Sequence, residues 1–180
     1  MERMIFYVLG FVILLVMLAF GVNYYQKAQG SLKETTAVTT INQIVAGTEQ
    51  LYNGQPNFTG VDNVVLVTAG KIPDNIIADA ANGQIMNPWG GTITVASDNA
   101  AASAAGGGTP SAFDVDLAGL PQSACMQLAT AFSSGNFQGE NINGTVFKSV
   151  ANGGTLVTPG VAAGACTVAG NGNNISFAFN

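Results

Sequence analysis

The chain has 180 residues, 8% of them charged and 48% hydrophobic, with 23 glycines, no histidine and a formal net charge of −5. Five basic residues that form no cluster exclude direct nucleic-acid binding, which needs a concentrated positive footprint. Without histidine the usual pairs of nucleophile and base cannot be drawn, so the composition points away from an enzyme.

The first element is the uncharged run Met4 to Val22, flanked by Glu2 and Arg3 before it and by Asn23, Tyr24, Tyr25, Gln26 and Lys27 after it. As a helix it rises about 28 Å, the thickness of a bilayer's hydrocarbon core, which predicts a transmembrane helix that can also serve as a packing rod. A cleaved signal peptide fits poorly, because the run is long and its end, Leu18 to Val22, offers no small-x-small site. A buried helix of a globule fits worse, since the run is apolar on every face. Helical spacing continues through Leu32, Ala37, Ile41, Ile44, Val45, Thr48, Leu51 and Tyr52 and stops at Asn53-Gly54. Residues 1–53 therefore read as one N-terminal helix, with 1–25 its hydrophobic membrane or filament-core half and 26–53 its amphipathic half. Residues 54–180 form the globular head.

Beyond the helix, short apolar runs alternate with Gly, Pro, Asn and Asp. Val64 to Thr68 is a β-branched, strand-like run, and Ile72-Pro73-Asp74 starts a turn and a short helix through Ile76, Ile77 and Ala80. Gly91 to Ala96 alternates as a strand with one wet face, and 97–112 is a low-complexity loop whose Gly106-Gly107-Gly108 is a flexible linker. Trp89, beside the Asn87-Pro88 turn, reads as a core anchor. A strand over Ala112 to Leu117 carries Asp114 and Asp116 on what its alternation predicts to be a solvated face. Pro121 then opens a helix to Phe132 with Ala124, Cys125, Leu128, Ala131 and Phe132 on one face. Gly144 to Val150, Gly154 to Val157, Ala165 to Ala169 and Ile175 to Phe179 are strand candidates between Asn-Gly and Gly-Gly turns. The fold class is α+β, an antiparallel sheet with small additional helices packed on the amphipathic half of the long helix.

Cys125 and Cys166 are the only cysteines, and their spacing matches no zinc pattern. A disulfide formed in an oxidising compartment is favoured over two separately buried thiols and makes the C-terminal part of the head a disulfide region. Oxidation places the head outside the cytoplasm, yet Lys27 and Lys33 after the apolar run outnumber Arg3 before it, which favours the opposite orientation. A basic leader removed ahead of residue 1 resolves the conflict. No residues suggest a cofactor or a metal site.

The apolar helix running into an amphipathic half, the Asn87-Pro88-Trp89-Gly90-Gly91 turn before a strand, the helix-borne Cys125 in Leu120 to Leu128, the second cysteine at Cys166 and the closing Phe177 to Asn180 together resemble type IVb pilins. The likeness is greatest to the major pilins of the thin pili of conjugative plasmids. It implies a type IV pilin-like fold and a major structural subunit of an extracellular pilus that polymerises through its N-terminal helix, in conjugative mating or surface adhesion. A minor pilin or membrane-anchored ligand-binding domain, and a pseudopilin of a secretion machine, are the alternative roles. It also implies cleavage by a prepilin peptidase, methylation at Met1, residence in the inner membrane before assembly, pilus assembly machinery as a partner, and a recipient or host cell surface as the target. Family members usually carry glutamate at the fifth mature position, where this chain has Ile5; Glu2, with Arg3 beside it, is the available assembly charge.

Overall fold

The computed structural model describes residues 2–97, 112–132, 138–148 and 157–180, with the side chains of 2–9, 19, 22–28 and 148 left aside. Met1, nearly all of the expected 97–112 loop and the expected Gly154 to Val157 strand, Val157 excepted, lie outside the described residues.

Helix α1, Glu2–Leu51, is 50 residues long, about 75 Å at the ordinary helical rise. Its second half packs on the head through Ala37, Ile41, Ile44 and Thr48, spaced alternately four and three apart so that they form one stripe. Thr48 would bury a hydroxyl in that stripe, but its Oγ1 donates to the Ile44 carbonyl at 2.8 Å. Gly47 lets the helix approach the next segment closely, since a Cβ there would stand 2.9 Å from the Lys71 carbonyl oxygen. The first half behaves differently: Phe11, Met17 and Phe20 are 63%, 70% and 72% exposed.

The expectation of a transmembrane helix is corrected here. Among the described residues no helix is long and apolar enough to cross a membrane.

Helix α2, Asn63–Thr68, replaces the strand-like run expected there. Asp62 caps it by accepting from the Val65 backbone N–H at 2.7 Å, a local gain, and Leu66 plugs into the core; together these outweigh the valines' preference for strands. Asp74–Ile76 is a single 3₁₀ turn, and Ile77, expected in a helix, instead starts strand β1, Ile77–Asp79. The strands that follow are β2, Gln84–Met86; β3, Thr92–Ser97; and β4, Phe113–Leu120. Helix α3, Gln122–Phe132, buries Ala124, Cys125, Leu128, Ala129 and Phe132, leaving Ala131 on the outside. Then come β5, Gly139–Ile142, and β6, Thr145–Lys148. Helix α4, Pro159–Ala165, ends where a strand over Ala165 to Ala169 was expected. Its cause is Pro159 in the first turn behind the cap Thr158, whose side chain accepts from the Val161 N–H. Strand β7, Asn173–Phe179, closes the chain.

The seven strands among the described residues form one antiparallel sheet in the order β1-β2-β3-β4-β7-β5-β6. The C-terminal strand thus lies inside the sheet, between β4 and β5, and among the described residues is the only bridge between its two parts. The inner face holds Ile93, Val95, Val115, Leu117, Ile175 and Phe177 against Ile41 and Ile44 of α1 and Leu128 and Phe132 of α3. Phe132 and Phe177 have ring centroids 4.8 Å apart, as do Phe58 and Phe113. Trp89 lies half-buried against this core.

Asp114 and Asp116 share the outer face of the sheet, as their alternation predicts, but between β3 and β7 neither is fully solvated: Asp114 is buried and Asp116 half-buried. Burial pushes the Asp116 carboxyl above its ordinary range, opposed by the Ser176 hydroxyl, which donates to it across the strand pair.

Candidate assembly surface

Assembly residues divide between the open end of α1 and a cross-linked corner of the head. On α1, Phe11 to Leu18 and Phe20 present large apolar side chains to solvent on every side. An added Cβ at Gly10, Gly21 or Gly30 would meet nothing within 4 Å, so these glycines answer to no packing within this chain. Glu2 and Arg3 belong to the first turn of α1; their side chains, and Met1, lie outside the described residues. Where α1 meets α3, a groove of about 260 Å³ is lined by Glu34, Val38, Gln127 and Leu128 among others. Burial raises the Glu34 carboxyl above its ordinary range, opposed by a hydrogen bond with the Gln127 side chain.

At the cross-linked corner, Cys125 of α3 is bonded to Cys166, just past α4, with a Cα–Cα distance of 5.9 Å. Both cysteines are fully buried. The bond closes a loop containing β5, β6 and α4, and so fixes where the chain turns back to enter the sheet as β7.

Next to it lies a set of asparagines that sequence reasoning missed. Asn173, fully buried, donates from Nδ2 to the carbonyls of Leu120 at 3.2 Å and Val168 at 2.9 Å. Its Oδ1 accepts from the Val168 N–H at 3.1 Å and from Asn143 Nδ2 at 3.0 Å. All four hydrogen-bonding positions of one amide are used. Asn143, held at φ 51°, also donates to the Ala165 carbonyl and accepts from the Asn174 N–H. Asn87 does the same work at the far edge: Oδ1 accepts from the Trp89 and Gly91 N–H groups and Nδ2 donates to the Ala118 carbonyl at 2.7 Å. Gly91 passes so near Ala118 that a Cβ there would overlap the Ala118 carbonyl oxygen. The one signal that could have found Asn173 is a polar residue immediately before an alternating apolar strand, with an Asn-Gly turn upstream.

Among the described residues no group of three or more His, Cys, Asp and Glu could hold a metal ion. A long helix with an open apolar end, an antiparallel sheet entered by its last strand and a disulfide-closed corner define a subunit built to pack against others. The family described as PilS, PilS N terminal, matches residues 31–180. The major structural subunit of the bundle-forming pilus of Escherichia coli O127:H6 (strain E2348/69 / EPEC) is 31% identical over 163 residues, covering 86% of this chain and 80% of that protein. The crystal structure of a type IVb pilin from Salmonella typhi superposes with a TM-score of 0.63 at 27% identity, covering 81% of this chain and 99% of that one. TcpA, a type IV pilin from Vibrio cholerae El Tor biotype, shares the fold with a TM-score of 0.62 at 18% identity, covering 83% and 99%. The chain belongs to the PilS family of type IVb pilins.

Proposed function

We propose that this chain is the major structural subunit of an extracellular type IVb pilus, polymerising with copies of itself through α1 and serving conjugative mating or surface adhesion. The observation that carries this reading is the open apolar end of α1, Phe11 to Phe20, on a protein whose head already has a sealed core. Burying each large apolar side chain is worth roughly 1.5 to 3 kcal/mol, so such a surface favours association with copies of itself. The bundle-forming pilus subunit, a major structural subunit by its own description, supports the same role.

In this reading α1 divides near residue 25 into a filament-core half and a head-packing half, and 54–180 is the head displayed outward. The subunit resides at the inner membrane before assembly. A prepilin peptidase and the pilus assembly machinery act on it, Met1 is the processed and methylated terminus, and a recipient or host cell surface is what the pilus meets. Glu2 is the assembly charge, paired with the α-amino group of Met1 or with Arg3 of a neighbouring subunit. An uncompensated buried charge costs on the order of 3 to 5 kcal/mol, so Glu2→Ala suppresses assembly while unassembled subunits accumulate.

Immunogold electron microscopy with antibody to the head tests this. Label along whole fibres, with fibres lost in Glu2→Ala cells, is the expected result. Label confined to fibre tips, or no fibre at all on cells making the protein, overturns the major-subunit reading; normal fibres in Glu2→Ala cells remove Glu2 from it.

A further inference from the structure

The sheet's outer face, opposite the core, plays no part in the assembly reading. Four adjacent strands place Thr94, Asp116, Ser176 and Asn141 in one transverse row, since Thr94 pairs with Asp116, Asp116 with Ser176, and Ser176 with Asn141. No side chain in that row is large, so the floor sinks into a hollow of about 270 Å³. Thr92 and Thr94 also line a second hollow of about 450 Å³, which runs on toward Asp79 and Asn82. The two make one elongated polar trench across the sheet.

We propose that this trench is a binding site for a short stretch of neutral glycan, with Asp116 at the centre accepting hydrogen bonds from ligand hydroxyls and Thr94 and Asn141 flanking it as further partners. Three features select that chemistry. Hydroxyls and amides line the row and its single ionisable group is a carboxylate, so an anionic ligand is repelled and a polyhydroxylated neutral one finds both donors and acceptors. The central hollow lies near the lower end of small-molecule sites, roughly 300 Å³, which suits one sugar ring, and the second hollow takes its neighbours along a chain. Asp116 is already half-desolvated and held by Ser176, so it is oriented before a ligand arrives. A single such site binds weakly; if subunits repeat along a filament, as the assembly reading has it, many sites act together.

The test uses the full oxidised chain, unassembled in detergent micelles, so that its outcome does not depend on polymerisation. Saturation-transfer NMR is run with maltotriose, cellotriose and triacetylchitotriose as neutral probes, trigalacturonate as the anionic probe and spermidine as the cationic one. Expected is transfer to at least one neutral trisaccharide and none to trigalacturonate. Asp116→Asn and Asn141→Ala should each weaken binding about fivefold, the worth of one hydrogen bond. Thr94→Tyr, at an exposed strand position, should abolish binding by filling the hollow while Trp89 fluorescence stays native. No transfer to any neutral trisaccharide, transfer unchanged in Thr94→Tyr, or spermidine displacing the sugar overturns the proposal.

Discussion

Replacing Asn173 with alanine tests the head at its most connected point. The side chain is fully buried and makes four hydrogen bonds, to Leu120, to both the N–H and the carbonyl of Val168, and to Asn143. A neutral hydrogen bond contributes about 1 kcal/mol net, and partners left buried and unsatisfied cost roughly 1 to 3 kcal/mol each. Val168 is exposed, so water can reach its freed groups; Asn143 keeps its bond to Ala165. The worst loss falls on the Leu120 carbonyl, beneath a fully buried residue. Together these terms put the destabilisation at about 4 kcal/mol, with accelerated hydrogen exchange at the start of β7. Urea denaturation of the full chain in non-denaturing detergent, followed by Trp89 fluorescence, measures it. Asn174→Ala, one residue on and exposed, is the control, with an expected change within about 0.5 kcal/mol. A loss below about 1 kcal/mol in Asn173→Ala would show that the four bonds are replaced by water and that the amide does not hold the corner.

Two further predictions follow from neighbouring features. Cys125→Ala combined with Cys166→Ala opens a loop of sequence separation 41, for which the chain-entropy relation gives a loss of about 4 kcal/mol in the same urea assay; a change under about 1 kcal/mol would refute the loop-closure account. Because the Asp116 pKa is raised on folding, its contribution is fully present below the ordinary aspartate value of 3.8 and is lost as pH rises through the raised folded value. Asp116→Asn should therefore gain stability relative to the parent chain as pH climbs through that window, and pH-independent parity would contradict the assigned burial.

How far the sequence was legible depended on how local each cause was. Ala37, Ile41, Ile44 and Thr48 repeat at helical spacing within α1, and Ile175, Phe177 and Phe179 alternate within β7, so both elements could be read directly. The Val64 to Thr68 run misled because propensity lost to the Asp62 cap and the Leu66 plug, the second of which depends on a core built by distant residues. Asp114 and Asp116 were half legible for a related reason: alternation says which side chains share the outer face, not how deeply a central strand's neighbours bury each of them. Asn173 carried almost no signal, since its Leu120 partner lies 53 residues away. The assembly surface was legible as an apolar run, but its reading as a membrane span was not sustained.

The sheet order gives the corner its physical meaning. Among the described residues, strands β1 to β4 and strands β5 and β6 are joined only by β7, so the sheet is incomplete until the last residues arrive. Pairing Ser176 with Asp116 closes a loop of 60 residues, and an existing Cys125–Cys166 bond shortens it to about 20, lowering the closure cost by about 1 kcal/mol. The Asn173 amide then ties the first residue of β7 to Leu120, the last residue of β4, and to Val168, just beyond Cys166. Oxidation and asparagine bonding thus act in sequence on one event, the entry of β7. A subunit that must present the same rigid head at every repeat depends on that event being complete before it packs, which places disulfide formation ahead of assembly.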